Sequence, residues 1–445
     1  MLAIVFLILV LGFLLVTAAG QLQQGLNPLP ALPGALLPPL VVALGLSALH
    51  ILLQSRRLQE EQILLPVMGL LIAIGMTMIW RLRGAEGVWQ QLTRGFLPGV
   101  IVIAALVLRP QLIEWVRRQA VPISLVGLAL PFLTAVFGVV DETGARLALR
   151  IGPLPPIQTS ELIKVALIVF LAWFIEREGQ EAEGRAKAFL GWLRLPAVRY
   201  FIPGVLFVAL ATLALVQMSD FGAVLILGVL FVGMLYAGFE TRIFATIGAI
   251  GLALAVLAGL VLALFWEVPA VIRYRFLAFR NPWSGAPVLE NGLPTGITIS
   301  EGPGYQIQQA VYAVIAGGIT GTGLGFGTPE YVPLAHSDFI FAAVVEEMGA
   351  ATGIAVIILF AVLLLRVFRI SVLLPRGQVF ERLLLVGIGL HLFTQVFVMV
   401  GGTLNLIPLT GVTIPFLSQG GMALLVNMAE VGLALAVARR LEGGA

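Results

Sequence analysis

The sequence predicts an all-α polytopic membrane protein, because both its composition and its run lengths suit a lipid bilayer. Hydrophobic residues make up 60% of the 445 residues and charged residues only 11%, whereas a soluble domain is about 25% charged. Twelve apolar runs approach the ~20 residues that a membrane-spanning helix needs. The runs lie at 2–19, 35–54, 62–80, 95–109, 121–140, 157–175, 199–218, 221–239, 243–265, 339–365, 381–402 and 416–438.

The polar composition excludes several kinds of chemistry. The chain has no cysteine, so it has neither a disulfide nor a thiol nucleophile. Its three histidines, His50, His336 and His391, are too scattered to suggest a histidine metal site. We expect no protein-held metal and no nucleic-acid partner.

Lys and Arg orient the predicted bundle. The first run lacks the basic residues that begin a signal peptide, so it is interpreted as a retained helix. With the N-terminus inside, most of the 26 Lys and Arg fall in cytoplasmic loops, while Lys164 lies inside a run. We therefore expect both termini to be cytoplasmic, with 441–445 as a short tail.

This topology places one long loop, about 266–338, outside the cell between the ninth and tenth spans. It contains "NPWSGAPVLENGLPTG" and the glycine-rich "AGGITGTGLGFGTPEY". Between them, "GYQIQQAVYAVIAGG" is apolar but too short to span, which predicts a re-entrant or surface helix over a wet cavity. The glycine run lacks the GK[ST] ending of a phosphate-binding loop, so close backbone packing is the better interpretation.

Polar residues cluster where the long loop meets the tenth run, in "PLAHSDFIFAAVVEEMG". His336, Ser337 and Asp338 could cap a helix, but Asp338 is also placed where a general base could meet a substrate. Glu346 and Glu347 lie inside the run, where ionisable groups indicate function by default. The alternative is that they pair with an arginine or with the backbone of a neighbouring segment.

Two further polar sets lie in other runs. Glu161 and Lys164, in "QTSELIK", share a helical face at a spacing of three residues and could pair structurally or serve a cavity. Asp220, in "QMSDFG", lies between the seventh and eighth runs, where it could cap a helix or join a functional site.

The predicted outer side also carries arginines, although Lys and Arg are usually concentrated in cytoplasmic loops. Arg146, Arg150, Arg273, Arg275 and Arg280 could simply extend to lipid headgroups. They could instead bind phosphate oxygens, since the guanidinium offers a planar fork of donors. Arginines beside carboxylates on this side suggest a phosphate-bearing lipid substrate.

Six signatures, in order, resemble the SEDS family (shape, elongation, division and sporulation), whose members include RodA and FtsW. They are "GARLALRIG…IQTSELIKVALIVFLA", "QMSDFGAVLILG", "RYRFLAFRNPW", "GYQIQQAVYAVIAGGITGTGLGFG", "PLAHSDFIFAAVVEEMG" and "IPLTGVTIPFLSQGGMALLVNMAEVGL". The resemblance covers about 62–440 and implies a ten-helix core. Residues 1–61 would then be an added N-terminal pair of transmembrane helices, giving twelve spans.

The resemblance implies a peptidoglycan glycosyltransferase that polymerises lipid II at the bacterial cytoplasmic membrane and releases undecaprenyl diphosphate. Asp338 falls on the family's catalytic aspartate, and Glu161, Lys164 and Asp220 fall on polar positions of its central cavity. We group His336, Ser337, Glu346 and Glu347 with these as supporting residues. The expected diphosphate- and substrate-binding set is Arg146, Arg150, Arg273, Arg275, Arg280 and Gln306.

The resemblance also implies partners: a class B penicillin-binding protein as transpeptidase, and membrane lipids. A divalent cation, Mg²⁺ or Mn²⁺, is compatible with a diphosphate substrate, but no ligand cluster in the sequence supports one. Two alternatives stay open, a lipid II flippase and an inactive scaffold for the transpeptidase. The loop signature reads His-Ser-Asp-Phe where the family usually has His-Thr-Asp-Phe, and the subtype (elongation, division or sporulation) is left open.

Overall fold

The computed structural model describes residues 1–56, 61–140, 146–150, 152, 156–184, 187–189, 193–195, 202–239, 270–290 and 293–443. The ninth predicted span, 243–265, lies outside these described residues. Long apolar runs become helices because a helix satisfies all of its own backbone hydrogen bonds in lipid.

The described residues are predominantly α-helical. The helices are α1 (Leu2–Gln23), α2 (Leu37–Ser55), α3 (Leu64–Gln91), α4 (Leu97–Leu108), α5 (Gln111–Arg118), α6 (Ala120–Phe137), α7 (Thr159–Gly184), α8 (Ile202–Gln217), α9 (Phe221–Gly238), α10 (Ala270–Arg280), α11 (Tyr305–Gly317), α12 (Ile340–Leu373), α13 (Val379–Thr403) and α14 (Gly421–Gly443). A 3₁₀ turn, Leu32–Leu36, precedes α2, and a π-helical turn, Leu92–Phe96, joins α3 to α4.

The all-α fold class is confirmed at this level, and the loops between the helices add short antiparallel strands. They are β1 (Val139–Val140), β2 (Arg146–Leu149), β3 (Ile157–Gln158), β4 (Lys187–Phe189), β5 (Leu193–Leu195), β6 (Pro287–Glu290) and β7 (Leu293–Thr298). The sheets have the orders β1-β2-β3, β4-β5 and β6-β7. Apolar runs of ~20 residues mark membrane helices but carry no signal for strand pairings of two to six residues, which satisfy the hydrogen bonds of loop backbone.

Eight helices among the described residues are long and apolar enough to cross a membrane, which makes the chain a multi-pass membrane protein. One of them, Leu64–Leu108, covers two predicted spans, and its backbone leaves the helical conformation at Gly84 (φ 59°, ψ −153°). Another apolar helix, α8, has only 16 residues. The count of twelve spans therefore stays a prediction.

The N-terminal helices pack onto the first helices of the core. The rings of Phe13 and Trp80 lie 5.1 Å apart, and Trp80 Nε1 donates to Thr17 Oγ1 at 3.1 Å, which joins α1 to α3. Gly12 faces Thr77 so closely that any Cβ would overlap that side chain. Small residues at such contacts let membrane helices approach closely.

The predicted long loop, 266–338, is largely structured where it is described. It contains α10, the β6–β7 hairpin, α11 and a short 3₁₀ helix, Pro329–Tyr331. The 13-residue α11 is the short helix expected from the sequence, and it packs on the beginning of α12. Gly317 makes this possible, because its Cβ position is filled by the carbonyl of Val345.

Candidate functional site

Asp338 lies in a tight loop just before α12, and a second loop, 411–420, holds its neighbours. Ser418 Oγ donates to Ser337 O at 2.7 Å, and Gln419 N donates to His336 O at 2.9 Å. Gly411 also approaches Asp338, since its Cβ position lies 3.5 Å from Asp338 Oδ2. These contacts fix the backbone on both sides of Ser337 and leave the Asp338 side chain half-buried.

The charges around Asp338 are Arg275 from α10 and Asp220 from the beginning of α9. Burial raises the pKa of Asp338, with a smaller contribution from Asp220; the hydrogen bond from Ser337 and the positive charge of Arg275 oppose the rise. Burial likewise lowers the pKa of Arg275, against the attraction of both aspartates. A carboxylate with a raised pKa beside a guanidinium is suited to accept a proton.

Asp220 also does what the capping interpretation expects. Its carboxylate accepts from Ala223 N at 3.0 Å at the N-terminus of α9. The preceding Ser219 has a positive φ of 62°, which sets the tight turn between α8 and α9. The helix cap therefore aims a carboxylate into the charge cluster of Asp338 and Arg275.

His336 lies beside this cluster and is half-buried. Burial lowers its pKa, and the charge of Arg83 lowers it further. At neutral pH His336 is therefore a neutral hydrogen-bonding group rather than a second cation near Asp338.

Glu346 and Glu347 bind the glycine-rich segment 318–328. Glu346 Oε1 accepts from Thr328 N at 2.7 Å, while Glu347 Oε2 accepts from Gly325 N at 2.9 Å. Both side chains are buried. Adjacent helical residues point about 100° apart, but the glycine-rich segment curves around this end of α12 and reaches both.

Arg81, from α3, completes this arrangement. Its Nε donates to Glu347 Oε1 at 2.9 Å, and its Nη2 donates to Gly327 O at 3.0 Å and to Glu330 Oε2 at 3.2 Å. One guanidinium thus joins two points of the segment that leads to Asp338 to the half-helix that follows it. Arg81 was not among the residues predicted from the sequence. The sequence indicates that a glutamate inside an apolar run needs a cation, but it does not indicate which arginine supplies it.

The glycine-rich segment also fills a break in α12. At Gly349 the backbone turns to φ 84° and ψ 162°, a region that residues other than glycine rarely adopt. Beyond the break, Ala350 N donates to Gly318 O at 2.9 Å. The break separates a short half-helix, Ile340–Met348, from the long membrane-spanning remainder, so the half-helix and the loop before it form one unit.

Glu161 and Lys164 form a buried pair on α7, with Lys164 Nζ 2.8 Å from Glu161 Oε1. The two side chains are 9% and 2% exposed. Glu161 Oε2 has no hydrogen-bond partner among the described residues. No hydrogen bond or ion pair between described residues joins this pair to the loop of Asp338.

The predicted diphosphate-binding residues divide into groups. Arg275 lies within the charge cluster, and Arg273 and Arg280 lie on the same helix, α10. Arg146 differs, because its Nη1 donates to the carbonyls of Ala135 and Val136 at the end of α6, which engages its guanidinium structurally. The remaining two, Arg150 and Gln306, are exposed and half-buried, respectively.

A second buried polar cluster, absent from the sequence-based candidates, joins α13 to α14. His391 Nδ1 lies 2.6 Å from Glu430 Oε1, and both side chains are inaccessible to solvent. The amides of Gln395 and Asn427 are buried without described partners. A glutamate inside the apolar run 416–438 was the available signal.

Glu430 also lies on the wall of an apolar groove of about 510 Å³. The groove runs between α6, α7 and α14, and Leu130, Ala166 and Leu425 are typical of its lining. Such a surface can hold an alkyl chain along the length of the bundle.

The described residues contain no group of three or more His, Asp or Glu that could hold a metal ion. Asp220 and Asp338 supply two carboxylates beside the positive charge of Arg275. This donor set does not fit a divalent cation held by the protein alone.

The apolar bundle and the two-loop site define a polytopic membrane protein with an aspartate and an arginine held at one end of the bundle. A family model described as cell cycle protein, for FtsW, RodA and SpoVE, matches residues 57–443. The chain belongs to this family, and α1 and α2 lie before the matched range.

Similar proteins carry related names. The chain is 34% identical over 328 residues to the probable peptidoglycan glycosyltransferase FtsW of Alcanivorax borkumensis, covering 73% of this chain and 76% of that protein. It is 30% identical over 408 residues to the peptidoglycan glycosyltransferase RodA of Mycobacterium tuberculosis, covering 89% and 81%.

Solved structures share the fold. A chain from a peptidoglycan synthase complex, described as coordinating polymerization and crosslinking, aligns with a TM-score of 0.65 at 23% identity and covers 85% of this chain and 97% of that chain. The rod shape determining protein RodA of Thermus thermophilus aligns with a TM-score of 0.55 at 23% identity, covering 84% and 95%.

Proposed function

We propose that the protein is a peptidoglycan glycosyltransferase that polymerises lipid II at the outer face of the bacterial cytoplasmic membrane. The observation that carries this proposal is Asp338, held by two loops with its pKa raised by burial and with Arg275 near it. Family membership and the names of the relatives support the reaction class.

In the proposed reaction Asp338 is the general base. It accepts the proton of the acceptor's GlcNAc 4-hydroxyl as that oxygen attacks the anomeric carbon of the donor MurNAc. A C–O bond forms with inversion, the bond from the anomeric carbon to the diphosphate breaks, and undecaprenyl diphosphate leaves with the electron pair. A base with a raised pKa binds this proton more readily than an ordinary aspartate would.

Arg275 would stabilise the leaving diphosphate, since a guanidinium offers paired donors to phosphate oxygens. Arg273 and Arg280 lie on the same short helix and would extend the positive surface. The groove beside Glu430 offers an apolar surface for part of the polyprenyl chain.

The full topology is part of this proposal. We infer twelve spans with both termini in the cytoplasm. This arrangement would place Asp338 and α10 outside, where lipid-linked disaccharide is polymerised.

A class B penicillin-binding protein is the proposed partner. The similar synthase complex is described as joining polymerization to crosslinking. If Mg²⁺ or Mn²⁺ takes part, we propose that it arrives with the diphosphate, because the two carboxylates beside Arg275 are too few to hold it.

A lipid II flippase is the second candidate, and the buried Glu161–Lys164 pair favours it, because ionisable pairs inside membrane bundles often mark transport pathways. An inactive scaffold is the third. A flippase should depend on the pair, an enzyme on Asp338, and a scaffold on neither.

The deciding experiment is lipid II polymerisation by the purified protein with its transpeptidase, comparing wild type with Asp338→Asn. Asparagine is nearly isosteric with aspartate, and the N-cap of α12 is Phe339 with no side-chain cap hydrogen bond, so we expect Asp338→Asn to fold. Glu86→Gln, at an exposed carboxylate on α3, is the matched control.

Glycan strands from wild type and Glu86→Gln, with none from a folded Asp338→Asn, would support the proposal. Equal polymer from all three would remove Asp338 from the chemistry. No polymer from any of them, with the partner bound, would direct the next experiment to lipid II translocation in liposomes.

A further inference from the structure

The first helix of the chain touches the segment that leads to Asp338. Gln23, the last residue of α1, donates from Nε2 to Gly325 O at 2.8 Å. Four residues earlier, buried Ala19 lies against the same glycine, where a Cβ on Gly325 would come 2.5 Å from Ala19 Cβ. The family match begins only at residue 57, so α1 lies outside the matched range and Gly325 lies within it.

Both peptide groups of Gly325 are therefore held from opposite sides. Its N–H donates to Glu347 on the half-helix Ile340–Met348, and its carbonyl accepts from Gln23 on α1. Its φ of 83° suits glycine and lets the backbone approach Ala19. A segment rich in glycine has high freedom in isolation, so its conformation here depends on these external contacts.

A second route connects α1 to the same segment. Thr17 accepts from Trp80 Nε1, and the adjacent Arg81 forms the ion pair with Glu347. Displacement of α1 would therefore act on Gly325 directly and on its carboxylate partner through α3.

We propose that α1 is a positioning element for the glycine-rich segment 318–328, and that Gln23 and Ala19 are its contact residues. The proposal rests on the proposed role of Asp338 at the end of the same loop. Because these residues lie away from the charge cluster, their loss should misplace the base without removing a substrate contact.

The first test measures kinetics of lipid II polymerisation for Gln23→Ala, with its exposed neighbour Gln24→Ala as control. We expect kcat of Gln23→Ala to fall roughly threefold to tenfold with KM unchanged, as fits the loss of one hydrogen bond. Gln23→Lys keeps a donor of similar reach and should restore most of the rate. A mere loss of folding would change the active fraction without this rescue.

The second test reads the coupling without any reaction. Hydrogen exchange of amides in 318–332 should quicken in Gln23→Ala and stay unchanged in Gln24→Ala. This measurement remains valid if wild type makes no glycan, so failure of the proposed function and failure of the positioning role are distinguishable.

The third test uses the close approach of Ala19 and Gly325. Gly325→Ala should slow turnover because its Cβ overlaps Ala19, and adding Ala19→Gly should restore part of the rate by removing that overlap. The strain of the positive φ remains in both. Unchanged exchange and rate in Gln23→Ala, together with no recovery in the double variant, would overturn the proposal.

Discussion

Arg81 Nε lies 2.9 Å from Glu347 Oε1, and this ion pair ties α3 to the half-helix that follows Asp338. The Glu347 side chain has no solvent exposure and that of Arg81 has 17%. Water therefore competes little with this ion pair. The glycine-rich segment 318–328, which both residues also bind, depends on it.

Glu347→Gln should lower the free energy of unfolding by about 2 kcal/mol, because glutamine accepts one hydrogen bond but cannot neutralise the partly buried Arg81. Chemical unfolding in detergent micelles measures this loss. Glu330→Gln removes the exposed partner of the same arginine, and such pairs contribute about 0–1 kcal/mol. Equal losses of unfolding free energy in Glu347→Gln and Glu330→Gln would show that the buried ion pair stabilises the fold no more than the exposed one.

Lys164→Met should destabilise the bundle by about 3–5 kcal/mol, because it leaves Glu161 buried and uncompensated. The double variant Glu161→Gln with Lys164→Met should recover much of that loss. Thermal unfolding followed by tryptophan fluorescence gives both values. If the double variant is no more stable than Lys164→Met, the pair contributes through something other than charge compensation.

Gly349→Ala should cost about 2 kcal/mol or more, since its φ of 84° and ψ of 162° strain a residue with a side chain. The added Cβ would also overlap the carbonyl of Ile319. Gly377→Ala is the matched control, because open space surrounds its Cβ position and its φ is not positive. Similar stability of the two variants would show that α12 can continue through the break.

The rate of glycan synthesis should fall as pH is lowered through the pKa of Asp338, because only its deprotonated form accepts a proton. Burial raises that pKa, so the acidic limb should lie above the pH at which an ordinary aspartate titrates. Arg275→Gln removes a charge that favours the carboxylate and should move the limb to higher pH. Asp220→Asn removes a like charge and should move it lower.

The pH dependence of kcat/KM for wild type, Arg275→Gln and Asp220→Asn checks these directions, because it reports the pKa of the substrate-free enzyme. If the acidic limbs of Arg275→Gln and Asp220→Asn shift in the same direction, the charges of Arg275 and Asp220 do not set the pKa of Asp338. A wild-type limb at the position of an ordinary aspartate would contradict the effect of burial.

The helices could be predicted because, in lipid, a long apolar run can form all of its backbone hydrogen bonds only as a helix. Family membership could be predicted because six signatures occur in order. The strands β1 to β7 could not, since their pairing partners are short and set by loop geometry.

Within the site, Asp338 stands out in the sequence as a carboxylate at the start of an apolar run. Arg146 looks like Arg275 in sequence, yet it binds the end of α6. What separates them is the tertiary placement of α10, which no local pattern encodes. The same limit hid Arg81, Gln23 and the pairing of His391 with Glu430.

The contact between His391 and Glu430 has a consequence for how the protein is made. Each side chain belongs to a different one of the last two helices, and the ribosome delivers α13 before α14. A charged group alone at the bilayer centre costs about 2.5–3.5 kcal/mol on insertion. Insertion of Glu430 therefore costs least when His391, on α13, is already in the membrane and can pair with it. We therefore expect α13 and α14 to leave the insertion machinery together, and membrane recovery of Glu430-containing chains should drop when His391 is replaced by leucine.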